Sequence, residues 1–286
     1  MSRVSILVPS RTGDVQGLRA QLARQSFRDW ELLVQAHTSP AGRARNLGAA
    51  RAQGSLLIFM DDDIQLPHEG LLADLVSALD AVAIHDAVGV LCAAPATLNR
   101  FQRRYVQEAF PPVVLRSGPR PDLAEVSWMA VGAACFGIRR DIFERTGGFD
   151  ESLLSGEDCA LTYQLSRAGG RIFVLRSHRI LHEPPRTVGQ AIRKTLWYEQ
   201  GNAQVARKHP EAGYRMPLRG PLHAAGYLLA RTCLLLPLCV LRVSYHHRRP
   251  KLSWRPMSAL LSYLGAWAYC YGWFFRPSQQ VSAHAP

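Results

Sequence analysis

Along the first part of the chain, short apolar runs alternate with longer stretches in which apolar residues recur at helical spacing. Val4-Ser5-Ile6-Leu7-Val8 reads as a strand ended by Pro9, residues 15–26 as a helix, and Trp30-Glu31-Leu32-Leu33-Val34 as a second strand. Residues 41–53 follow as a second helix, and Leu56-Leu57-Ile58-Phe59-Met60 as a buried third strand. Residues 71–79 predict an amphipathic helix and Val88-Gly89-Val90-Leu91-Cys92 a fourth strand. Strands separated by helices of this length imply βαβ units and a parallel sheet.

Residues 93–125, with Pro95, Pro111, Pro112, Pro119 and Pro121, lack periodicity and are expected to form a long functional loop with a short helix. Regular structure is expected to resume at Val126. The small-residue run Gly132-Ala133-Ala134-Cys135-Phe136-Gly137-Ile138 turns into a strand where backbone can approach a ligand. A helix over residues 141–145 leads to Gly147-Gly148-Phe149-Asp150-Glu151. Glu157 and Asp158 open a helical pattern marked by Leu161, Leu165 and Ala168, and Arg171-Ile172-Phe173-Val174-Leu175 is a late strand before Ile180-Leu181-His182.

Beyond Pro217 the pattern changes. Residues 222–241 are apolar except for His223, Arg231 and Thr232, and residues 257–275 are apolar and aromatic; each stretch is close to the ~20 residues that span a bilayer. Spanning by both would put the cationic loop over residues 242–255 on the side opposite a cytosolic catalytic part, against the positive-inside tendency. A peripheral or re-entrant arrangement in the headgroup region is therefore expected in preference to a spanning one. Residues 1–215 read as the catalytic domain and residues 216–286 as a membrane-associated helical region.

Composition adds two constraints. The formal net charge is +12, concentrated between Arg186 and Arg255, which predicts an anionic partner surface. No nucleic-acid-binding motif accompanies it, and the adjoining apolar stretches point to a membrane rather than to nucleic acid. The six cysteines form no CxxC pair, so neither a zinc site nor a disulfide framework is expected. The N-terminus runs directly into a strand, without a secretory leader pattern, and the cytosolic face of the plasma membrane is the expected location.

The chemistry is read first at Asp61-Asp62-Asp63, where a buried strand leaves the sheet, the place at which open α/β sheets bind ligands. Successive strand residues point to opposite faces, so Asp61 and Asp63 are expected to project to one side and Asp62 to the other, a hard oxygen site for a divalent ion carrying phosphate oxygens. Glu157 and Asp158 suit a helix N-terminus and also general-base work. His182, after a late strand, could add a nitrogen ligand to a metal shell.

In chain order, Val8-Pro9, Arg45-Asn46-Leu47-Gly48, Phe59-Met60-Asp61-Asp62-Asp63, Gly147-Gly148-Phe149-Asp150-Glu151, Glu157-Asp158 and His182 form a set that resembles the family 2 glycosyltransferases over about residues 3–210. The resemblance implies the GT-A fold, an α/β architecture with a Rossmann-like, mixed but mostly parallel sheet, and transfer with inversion. It implies that Asp61 and Asp63 hold Mg²⁺ or Mn²⁺ on the diphosphate of a nucleotide-sugar donor, with His182 completing those contacts. Asp158 corresponds to the catalytic base, and Glu157 orients the acceptor or shares that duty. Pro9, Arg11, Arg45, Asn46 and Asp62 fall on the donor side, and Gly132, Ala133 and Trp128 on the acceptor side, where a saccharide or lipid-linked hydroxyl is expected. The chain departs from the family at Gln35-Ala36-His37, where an acidic residue usually contacts the base, and Arg193-Lys194-Thr195-Leu196-Trp197-Tyr198 only partly echoes the motif of processive synthases. A nucleotidyltransferase using the same carboxylates and a non-catalytic membrane-binding module remain alternatives.

Overall fold

A computed structural model of the chain describes residues 2–109, 113–213, 215–241, 243–246, 249–252 and 255–275. Its centre is an eight-stranded sheet ordered β2-β1-β3-β9-β5-β10-β8-β7. The strands are β1 (Val4–Ser10), β2 (Trp30–Ala36), β3 (Leu56–Met60), β5 (Ala87–Gly89), β7 (Arg116–Ser117), β8 (Leu123–Val126), β9 (Cys135–Arg139) and β10 (Ile172–Leu175). Parallel pairing joins β2, β1 and β3, and also β5 and β10; β9 and β8 run against their neighbours, so six of the eight strands share one direction. A small second sheet, β4 (Ile64–Gln65), β11 (Ile180–His182) and β6 (Cys92–Ala93), follows on from the C-terminal ends of β3, β10 and β5.

The pleat sorts the apolar residues onto two faces. Val4, Ile6, Val8, Leu56, Ile58 and Met60 meet Leu18 and Leu22 of α1 (Gln16–Leu22) and the buried leucines of α3 (Leu71–Ala81). Leu7, Leu57 and Phe59 meet Phe136, Phe143, Phe149, Leu161 and Leu165 on the opposite face. That second face is covered by α2 (Ala41–Arg51), α5 (Arg140–Arg145) and α6 (Glu157–Arg167).

Three expectations change. Pro9 does not end β1, which continues to Ser10; beyond Leu7 the strand is flanked only by β2, so a residue without an N–H is accommodated there. The expected strand over residues 88–92 divides into β5 and β6, which belong to different sheets. Residues 93–125 hold α4 (Arg100–Ala109) and also the strands β7, at the sheet edge, and β8, between β7 and β10; β8 ends at Val126.

The C-terminal part is built on α7 (Val188–Lys208), a helix that apolar periodicity does not announce. It crosses residues 153–155 so closely that a Cβ at Gly201 would lie 2.6 Å from the Ser155 carbonyl oxygen. α9 (Pro256–Phe275) packs along α7, with Tyr269 and Cys270 against Ala203 and Ala206, and α8 (Pro221–Leu241) packs on α9. Between α8 and α9 the backbone pairs as a hairpin, β12 (Val243–His246) with β13 (Arg249–Leu252). Of the expected basic loop, Arg242, His247 and Arg248 lie outside the described residues.

Candidate active site

The site forms where β3 ends. Residues 61–63 do not continue the strand: Asp61 follows it and donates its N–H to the Ala134 carbonyl, and Asp62 and Asp63 form a turn into β4. The expected strand alternation therefore does not hold, because the chain must reverse to pair β4 with β11. That pairing places His182 opposite Ile64, and His182 Nε2 stands 3.4 Å from Asp63 Oδ2. The Asp63 carboxyl lies below its ordinary range, first through the His182 hydrogen bond, with burial opposing and the charges of His182 and Lys194 assisting.

Asp61 is turned to a different partner. Arg45, on α2 and only 5 % exposed, donates Nη2 to Asp61 Oδ1 at 2.8 Å and Nη1 to Glu157 Oε1 at 2.6 Å, with Phe149 beneath its guanidinium at 5.4 Å. Its Nε is buried without a hydrogen-bond partner among the described residues. Burial alone would weaken this cation, yet the carboxylates of Asp61, Glu157 and Asp158 raise its pKa above the ordinary arginine value. Glu157 is itself buried. Burial and the Asp158 charge lift its carboxyl above the usual range, against the pull of Arg45. Arg45 thus ties Asp61, at the end of β3, to Glu157 at the start of α6.

Asp158 lies in the first turn of α6, after Gly156 in the left-handed conformation (φ 81°). Its Oδ1 accepts the Cys159 N–H at 2.7 Å and its Oδ2 accepts the Ala133 N–H at 3.3 Å. A Cβ at Gly132 would lie 2.9 Å from Oδ2, so the small-residue run before β9 is what lets the carboxylate stand there. Gly132→Ala should displace Asp158 and lower kcat by about tenfold to a hundredfold, with the thermal midpoint little changed. Unaltered steady-state turnover in that variant would separate Gly132 from the chemistry.

The remaining expected residues fall at varied depth. Asn46 clamps the 147–151 turn, donating to the Phe149 carbonyl and to Glu151 and accepting the Phe149 N–H. Trp128 packs against Tyr163 at 5.2 Å, and its carbonyl accepts from Thr162. Pro9 is partly buried on β1, Arg11 is exposed just after it, and Asp62 is partly buried. At the departure from the family pattern, His37 adopts a positive φ of 54° and donates its N–H to the Ser10 carbonyl, closing the β2 end over β1.

Two contributors come from α7. Tyr198 is 43 % exposed, and its phenol is held above the ordinary tyrosine range, first by burial and then by the nearby carboxylates of Asp158, Asp61 and Glu157. Lys194 Nζ lies 5.7 Å from the Tyr198 ring centroid, and its charge reaches Asp63 and Cys92. On β6, the Cys92 thiol is pushed up to about 11, by burial and then by Asp61 and Asp63. Among the described residues no group of three His, Cys, Asp or Glu side chains stands close enough to hold a metal ion. The donor set nonetheless suits a hard divalent ion: Asp63 and His182 are adjacent, and Arg45 takes only one of the two Asp61 oxygens.

The chain thus carries a mixed, mostly parallel sheet flanked by helices, with carboxylates gathered at the end of β3 and at the start of α6. Residues 3–199 match the family described as Glycosyltransferase like family 2, and the chain belongs to that family. Among curated proteins it is similar to the pre-mycofactocin glycosyltransferase of Mycobacterium tuberculosis, 24 % identical over 202 residues, covering 71 % of this chain and 42 % of the relative. A second relative is the O-antigen biosynthesis protein RfbC of Myxococcus xanthus, 27 % identical over 147 residues, 48 % of this chain and 12 % of that protein. The chain thus spans less than half the length of these curated relatives. Among solved structures, the mannosyltransferase PcManGT of Pyrobaculum calidifontis, in complex with GDP-Man and Mn²⁺, shares the fold with a TM-score of 0.58 and 16 % identity, over 96 % of this chain and 88 % of that one.

Proposed function

We propose that the protein transfers a sugar from a nucleotide-diphosphate sugar to a hydroxyl of a saccharide or lipid-linked acceptor, with inversion, in the synthesis of an envelope or extracellular glycan. The observation that carries this reading is the inequality of the two adjacent carboxylates. Glu157 is buried and bound to Arg45, whereas Asp158 is held by two backbone N–H groups beside a small-residue wall. A single available carboxylate serves as a general base: it takes the proton of the acceptor hydroxyl as that oxygen bonds to the anomeric carbon and the bond to the diphosphate breaks. A double displacement would need a second, free carboxylate beside the same carbon.

On the donor side, Asp63 and His182, which stand together, would hold Mg²⁺ or Mn²⁺ jointly with phosphate oxygens of the donor, and Asp61 lies at the start of the same turn. The ion would neutralise the charge that develops on the departing diphosphate. Lys194 adds a cation beside Asp63. The manganese and GDP-mannose bound by the Pyrobaculum mannosyltransferase, and the O-antigen role named for the Myxococcus protein, are consistent with this reading.

Two measurements test it. A panel of UDP-, dTDP- and GDP-sugars, with Mn²⁺ or Mg²⁺, should contain at least one donor that the protein cleaves; cleavage of none would remove the reading. Mn²⁺ binding followed by electron paramagnetic resonance should weaken in both Asp63→Asn and His182→Ala, by about tenfold to a hundredfold each. Wild-type affinity in both variants would place the ion elsewhere.

A further inference from the structure

The C-terminal helices present an apolar surface that nothing in the described structure covers. α9 contains no charged residue, and its two sides have different fates. Leu261, Gly265, Ala268, Tyr269 and Gly272 are buried on the packed side, while Leu260, Trp267, Tyr271 and Phe275 form an exposed stripe at helical spacing, Phe275 being 72 % exposed. α8 touches the protein through Ala224, Tyr227 and Leu228 and exposes Leu222 at 90 %, Leu229 at 65 % and Leu234 at 50 %. A helix that is apolar all round belongs in a core or against lipid, and only one side of α9 has a core to face.

Charge selects the occupant. From Met216 onward the sequence contains no aspartate or glutamate, yet carries Arg219, Arg231, Arg249, Lys251 and Arg255 among its basic residues. Arg249 and Lys251 belong to the hairpin strand that joins α8 to α9. A surface for another protein domain mixes both signs around its apolar centre. Leucine and aromatic side chains with cations and no acids match an acyl layer beneath anionic headgroups. No helix among the described residues is long and apolar enough to cross a membrane. One side of α9 is packed along α7, so only its other side is available to a bilayer.

We propose that α8, the hairpin and α9 dock the protein on an anionic lipid bilayer, lying in its interface rather than crossing it. The consequence reaches the active site through α7. One stretch of that helix carries Lys194 and Tyr198 near the carboxylates, and its length is packed against α9: Gly272 against Gln200, Gly265 against Thr195 and Glu199, and Arg207 donating to the Trp273 carbonyl at 2.9 Å. Docking therefore fixes how the acceptor side of the site stands relative to the lipid surface. This deepens the proposed function by naming a lipid-anchored acceptor as the class served, and it rests on that reading for the acceptor but not for the docking.

The test is sedimentation of the full chain with vesicles of phosphatidylcholine alone and of phosphatidylcholine with phosphatidylglycerol, with donor cleavage measured in the same samples. Partition onto the anionic vesicles only, weakened by salt, is expected, as is quenching of tryptophan fluorescence by brominated lipid that diminishes in Trp267→Phe. A Leu229→Gln, Trp267→Gln, Tyr271→Gln triple variant should bind these vesicles about tenfold less or weaker still while donor cleavage is retained. Equal partition onto both vesicle types, no partition, or absence of brominated-lipid quenching overturns the proposal. So does a concentration-dependent dimer that the triple variant abolishes, which would assign the face to a second copy. Vesicle binding without donor cleavage would instead count against the transferase reading and leave the docking standing.

Discussion

Asp158→Asn is expected to lower kcat by about 10²–10⁴-fold while leaving donor affinity close to the wild-type value. The expectation follows from what the side chain touches. Asparagine keeps the shape and one oxygen, which can accept the shorter Cys159 bond at the α6 start, and gives up only the longer contact with the Ala133 N–H. What it loses is the capacity to take a proton. An alcohol at neutral pH is almost wholly protonated, and without a base the attacking oxygen must develop positive charge as it bonds to the anomeric carbon. The donor is bound by other groups, Asp61, Asp63, His182 and Lys194 on the proposed reading, so binding and turnover should separate. Parallel loss of donor affinity and turnover would assign Asp158 to the donor side instead.

The second large effect concerns stability. Arg45→Met should destabilise the protein by about 3–5 kcal/mol, because it leaves Glu157 with no countercharge in the interior. The loss is expected to depend on pH in a definite direction. In the fold, burial and Asp158 raise the Glu157 pKa above its ordinary value of 4.5, so the native state holds that proton more tightly than the unfolded chain does. A raised pKa favours the folded state below the ordinary value, and that contribution is lost as pH rises through the folded pKa. Removing the arginine raises the folded pKa further. Denaturant midpoints for Arg45→Met should therefore lie closer to wild type at pH 5 than at pH 8, and Arg45→Met, Glu157→Gln should recover part of the difference. Arg45→Lys should fall between, since an ammonium cannot fork to two carboxylates. A penalty that is the same at both pH values and in the double variant would mean that Arg45 acts through packing on Phe149 alone.

The contrast between these two residues indicates what the sequence made legible. Asp158 could be read directly, since a Glu-Asp pair before a helical pattern is a local signal. β3 could be read because all five of its residues are buried and apolar, a continuous run that only an interior strand tolerates. The role of Arg45 could not, because its partner Glu157 lies 112 positions away and nothing local distinguishes it from the exposed Arg43 and Arg51 on the same helix. The turn at 61–63 was hidden for a related reason. It exists because the two-residue strand β4 pairs with β11, and two residues carry no period.

α7 was illegible through its composition. Its buried positions are Ala191, Gly201, Asn202, Ala203, Gln204, Val205 and Ala206, all but Val205 small or polar, which lets α9 and the 153–155 segment approach closely but gives little apolar periodicity. The basic-aromatic stretch 193–198 was visible only as an incomplete motif. In the fold, the same residues put Lys194 near Asp63 and Tyr198 near Asp158. Strands β7 and β8 were masked by their length, two and four residues, and by the prolines at 119 and 121 in the turn between them.

The central claim is that one free carboxylate, Asp158, performs a single displacement while Glu157 is held by Arg45. Its most direct test is the configuration of the sugar at the instant it leaves the nucleotide. Proton NMR of the first product formed from an α-linked donor, recorded before mutarotation, should show the β anomer. Release of the α anomer would mean a retained configuration, and with it a reaction that this pair of carboxylates does not perform.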